Sequence, residues 1–158
     1  MTPTWIVNAL LNVGTREIKG ALHNSLILSW WKKIKRGGIK DDETPWCAAF
    51  VGAMLEGSGI VSSRFESAKS YLTWGVKLTD PVYGCIVVFN RDGGGHVGFV
   101  VGVDAFDNLL VLGGNQSDVV CIRAFGRDRV AGYRFPAGVQ IPEEKLIVSR
   151  AEMTRSEA

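Results

Sequence analysis

An α+β fold, with a helical N-terminal half packed on a five- to six-stranded antiparallel sheet, is predicted by three observations. Apolar residues recur at helical spacing through the first part of the chain. After Pro81 they gather into short runs rich in Val, Ile and Phe, separated by Gly, Asn and Asp. The chain has 158 residues, 46% of them hydrophobic and 22% charged, which suits one folded domain with its own core.

The elements follow in order. Trp5, Ile6, Ala9, Leu10 and Val13 keep a helical spacing that Gly14 ends. A second helix is predicted from Ser25 to Lys35, closed by Gly37-Gly38. The third runs from Thr44 to about Glu56; Thr44 is a favoured N-cap, and Pro45 suits the first helical position, where a missing N–H costs nothing. A short fourth helix is predicted over Ser67 to Trp74. Strands are predicted at 85–89, 96–103, 109–112, 119–124 and 130–134, joined as a meander. Residues 1–140 read as a single domain and residues 141–158 as a polar tail.

Composition removes several function classes. A formal charge of +2 is too small to argue for nucleic acid. No stretch approaches the ~20 apolar residues of a membrane span, so no membrane insertion is expected. The start Met1-Thr2-Pro3-Thr4-Trp5 lacks the basic and apolar regions of a secretory signal, so a cytoplasmic origin is expected. Cys47, Cys85 and Cys121 form no C-x-x-C pair, which excludes a simple disulfide framework or zinc ribbon. Cys85 and Cys121 read as small buried hydrophobes. His23 has no metal-ligand cluster around it and reads as a surface or capping residue, and Asp41, Asp42 and Glu43 read as a solvated loop. No metal or organic cofactor is expected.

The chemistry points to Cys47 and His96. A cysteine in the first turn of a helix meets unpaired N–H groups and the positive end of the dipole, which lower its pKa and favour the nucleophilic thiolate. His96, at the head of a strand after Gly93-Gly94-Gly95, is the matching base. A hairpin turn centred near Phe106 pairs His96 with Asn115, whose amide oxygen would orient the imidazole. A one-residue register change pairs it with Gln116 instead. Trp46, Trp74 and Gln116 are the candidate substrate-binding residues, since flat aromatic faces suit sugar rings and peptide stems. The glycines before His96 and Asn115 either leave room for an extended substrate or serve tight turns.

The ordered segments Thr44-Pro45-Trp46-Cys47-Ala48-Ala49-Phe50-Val51, Tyr83-Gly84-Cys85-Ile86-Val87-Val88-Phe89, Gly95-His96-Val97-Gly98-Phe99-Val100 and Gly113-Gly114-Asn115-Gln116 resemble the CHAP family (cysteine, histidine-dependent amidohydrolases/peptidases) of the papain-like superfamily. The likeness spans roughly residues 5 to 136 and is nearest to small phage and bacterial members. One departure is Gly84-Cys85, where the family often has Gly-Asp. The resemblance implies a papain-like fold and cleavage of a peptidoglycan amide, with Cys47 as nucleophile, His96 as base and Asn115 as the polar third residue. An amidase and an endopeptidase both remain open. So do an interbacterial toxin of the same chemistry and a non-catalytic wall-binding or virion module. A phage or prophage lysis enzyme is the expected context, a monomer acting on the cell wall after a holin-type protein releases it; the toxin reading would call for an immunity protein instead.

Overall fold

The structure, a computed structural model, describes residues 2–20, 23–42 and 44–148. Three α-helices come first: α1 (Thr4–Leu11), α2 (Ser25–Lys33) and α3 (Cys47–Glu56). A 3-10 helix (Ala68–Thr73) leads into β1 (Val76–Leu78), β2 (Ile86–Arg91), β3 (Gly94–Val103), β4 (Leu109–Gly113) and β5 (Cys121–Phe125). A second 3-10 turn (Arg127–Arg129) passes directly into β6 (Val130–Phe135). The six named strands pair antiparallel throughout, in the order β1-β6-β2-β3-β4-β5. The α+β expectation is met, with helices in the N-terminal half and six strands. Among the described residues no helix is long and apolar enough to cross a membrane.

Local chemistry explains the helices. The Asn24 side chain accepts from Leu26 N–H and caps α2, whose last turn carries Lys32 and Lys33 against the negative end of the dipole. Its apolar face buries Ile27, Trp30 and Trp31. The central helix, α3, is buried from Cys47 through Leu55, so its sequence is apolar all round and shows no polar face. Burying a side chain such as Phe50 contributes roughly 2–3 kcal/mol. Gly52 lets α3 approach its neighbours, since a Cβ there would lie 2.5 Å from Ile34 Cγ2. The fourth predicted helix is the 3-10 turn, and β1 had no counterpart in the sequence reading. In the predicted tail, the Val103 N–H donates to Ile147 O at 3.2 Å, beside a parallel bridge from Val103 to Val148. Positions 149–158 of that tail, with Glu43, lie outside the described residues.

A buried carboxylate ties down the chain on either side of α2. Asp42 is fully buried and accepts from Ile18 N–H (2.6 Å), Asn24 N–H (2.7 Å) and the His23 ring at Nδ1 (3.0 Å). The solvated-loop reading of Asp42 is therefore corrected, and His23 is its partner. Burial works to raise the Asp42 carboxyl, but the two backbone donors and His23 outweigh it and hold it below its ordinary value. Asp42→Ala is expected to cost about 3 kcal/mol, because two backbone donors lose their acceptor, as read from denaturant unfolding.

Candidate active site

Strand β3, which carries His96, packs against α3, which begins at Cys47. The helix starts at Cys47 itself, with Trp46 in the N-cap position and no side-chain cap. Thr44 does not cap α3, contrary to expectation: its N–H and hydroxyl both go to Asp41 Oδ1, at 2.6 and 2.8 Å. Cys47 is thus the first helical residue, where its own N–H has no intrahelical partner. The thiol faces the backbone N–H of Val97, the residue after His96, and also the N–H groups of Ala48 and Cys47.

The expected thiolate is not the resting form. Burial raises the Cys47 thiol above its ordinary value, against the pull of those N–H groups and of the Arg91 charge. Burial also pulls the His96 imidazole down; Gln116 works the other way, Arg91 adds to the lowering, and the result is about 4. Both groups are therefore neutral near pH 7.

His96 is held by Gln116, and Asn115 is not its partner. The His96 Nε2 lies 2.9 Å from Gln116 Oε1, and both side chains are buried, at 1% and 3% exposure. The Gln116 amide nitrogen donates to Cys121 O at 2.8 Å and Val111 O at 3.3 Å, which leaves its oxygen for the imidazole. Hence Nε2 carries the proton and Nδ1 carries the lone pair.

The correction has a clear physical cause. The predicted register holds as far as Phe99 opposite Leu112, and continued it would put Asn115 opposite His96. But β4 ends at Gly113, and Asn115, Ser117 and Asp118 all take positive φ (59°, 58° and 63°). The chain leaves the ladder, Asn115 sits half-buried in the turn, and Gln116 swings inward.

Three other expectations change. Trp46 is wholly buried, donates from Nε1 to Glu17 Oε1 at 3.0 Å and packs on Trp30, so it is a structural wall and not a substrate platform. Trp74 is half-buried, donates from Nε1 to Val61 O at 3.0 Å and sits edge-on to Tyr71; it does not line the cavity beside His96. Gln116 is the imidazole's partner and not a groove residue. The glycines make room inside the protein: a Cβ at Gly114 would lie 2.7 Å from Phe50 Cβ, and one at Gly113 would lie 3.3 Å from His96 Nε2. Cys121 is half-buried and grips Gln116 through its carbonyl and sulfur, whereas Cys85 is fully buried with its thiol pushed up to about 12.

His96 also belongs to an aromatic stack that the sequence did not announce. The sheet curls so that Phe125 lies 5.5 Å from the His96 ring and 4.9 Å from Phe89, both nearly parallel. Beside this stack opens a cavity of about 260 Å³.

Residues 39–115 match the model of the CHAP domain. Over that segment, just under half of its length, the chain is similar to the CHAP domain. No curated protein matches the chain. A CHAP domain implies a hydrolase of the peptidoglycan-hydrolase type, a cysteine- and histidine-dependent amidohydrolase or peptidase. The matched segment contains Cys47 and His96 and stops one residue before Gln116.

The neutral buried imidazole makes stability pH-dependent. Its pKa falls from 6.5 to about 4 on folding. In that window the unfolded chain binds a proton that the folded chain does not, so folding is weakened as pH drops. The His96 contribution is undiminished above about pH 6.5 and lost by about pH 4, on the order of 3 kcal/mol in all. Urea midpoints measured from pH 7 to pH 4 should fall for the native chain and fall less for His96→Asn.

Proposed function

We propose that this protein is a CHAP-family enzyme that hydrolyses an amide bond of bacterial peptidoglycan, with Cys47 as nucleophile, His96 as base and then acid, and Gln116 as the residue that orients His96. The observation that carries the reading is the fixed tautomer: Gln116 holds the Nε2–H, which leaves Nδ1 bare as the proton acceptor. The thiol gives its proton to Nδ1 as Sγ attacks the carbonyl carbon. The resulting oxyanion is met by the Cys47 backbone N–H at the start of α3. The C–N bond then breaks, and the imidazolium protonates the leaving amine. Water activated by His96 attacks the thioester, which releases the acid and restores the thiol.

A phage or prophage lysis enzyme is the context we favour, held in the cytoplasm until a holin-type protein releases it. Mass spectrometry of muropeptides released from purified walls tests the hydrolysis. A new amine and a new carboxylate at one position are expected, and their position separates amidase from endopeptidase. Walls left undigested by active-site-titrated protein would refute it.

A further inference from the structure

The cavity beside His96 has a composition that the hydrolytic chemistry does not use. Its inner wall is the ring stack of Phe89, Phe125 and His96, and its rim carries Arg91, Arg129 and Asp128. Arg91 ends β2, and Arg129 ends the 3-10 turn before β6, so two separate elements present guanidinium groups to one opening. Among the described residues, neither arginine has an ion pair, whereas the neighbouring Arg127 is bound to Asp107. Two guanidinium groups against one carboxylate leave the lining net positive. His96 is the wall shared by the reacting pair and this cavity, and the Arg91 charge acts on both Cys47 and His96.

We infer that this cavity is a subsite for a stem-peptide carboxylate next to the scissile amide, bound by Arg91 and Arg129 with its aliphatic portion against Phe89 and Phe125. The inference rests on the peptidoglycan reading above and names which part of that substrate the site selects. Guanidinium groups pair bidentately with carboxylates, and the aromatic floor lowers the local dielectric under them. A primary amide of the same shape offers donors where the arginines need acceptors.

The test measures binding apart from turnover. Calorimetric titration of Cys47→Ala protein compares a muramyl tetrapeptide with free carboxylates and its fully amidated counterpart. The free-carboxylate form should bind about 10-fold tighter, a preference that weakens with added salt. Arg91→Gln and Arg129→Gln, each in the Cys47→Ala background, should remove most of that preference and leave affinity for the amidated form unchanged. Equal affinities, or a preference that survives both substitutions, overturn the subsite. Cleavage by wild-type protein is scored separately. Absence of cleavage with the preference intact refutes the peptidoglycan hydrolysis and leaves the subsite standing, whereas cleavage with equal affinities does the reverse.

Discussion

Cys47→Ala is expected to reduce amide hydrolysis by at least about 10⁴-fold, because the acyl intermediate of the proposed mechanism forms on its sulfur. The fold should survive. Cys47 is the first residue of α3 and a small member of the buried core, so truncating its side chain costs about 1 kcal/mol. Cys47→Ser is the sharper comparison. A hydroxyl is far less acidic than a thiol, and an imidazole with a pKa of about 4 is too weak a base to activate it. The serine variant should therefore be as inactive as the alanine one. Soluble muropeptide release is the readout, with thermal unfolding as the control for folding. A serine variant that retained a tenth of the activity would contradict the neutral-pair chemistry.

How much of this was legible in the sequence depends on how local each feature is. Short continuous runs of Val, Ile and Phe bounded by turn residues marked five of the six strands, because strands such as β4, buried at every position, carry apolar side chains on both faces. The missing one, β1, is three residues long and exists because it pairs with β6, some sixty positions away in the chain, which no local pattern announces. Cys47 and His96 stood out because a thiol at a helix start and a histidine after glycines are both local signals. Trp46 was misread because its partner Glu17 lies in another segment, and Asp42 was misread for the same reason. The thiol's ionisation was misread because the dipole at a helix start is a local effect, whereas burial, which outweighs it here, depends on the whole fold.

The third member of the site shows where the boundary between legible and illegible runs. The hairpin register was correct to within a bulge, shifting between Val100 and Gly102 towards the turn and holding again at Phe99 and Leu112. What failed was the assumption that the strand continues to Asn115. The run Asn115-Gln116-Ser117-Asp118 carried the warning, since Asn and Asp tolerate the left-handed conformation that three of these four residues adopt. The polar residue on a strand after the glycines is therefore set by where the ladder ends and not by the ladder's register alone.

Gln116→Leu and Asn115→Gly separate the two candidates for the orienting role. Leucine at 116 keeps the volume but removes the acceptor, leaving the His96 Nε2–H buried without a partner and Cys121 O without its amide donor. The imidazole is then free to place its proton on Nδ1, the atom that must receive the thiol proton. A loss of about 10³-fold in kcat/KM is expected, with a stability cost of about 2 kcal/mol for the unpaired buried groups. Glycine at 115 adopts positive φ without strain, so the turn should close as before and activity should stay within about threefold of the native value. The pH dependence gives a readout that a merely structural defect would not move. Gln116 favours the protonated imidazole, so its removal lowers the His96 pKa further and shifts the acidic limb of kcat/KM to lower pH. The opposite pattern, a large loss at Asn115→Gly with Gln116→Leu near native, would return the orienting role to Asn115 and require β4 to run two residues further than Gly113.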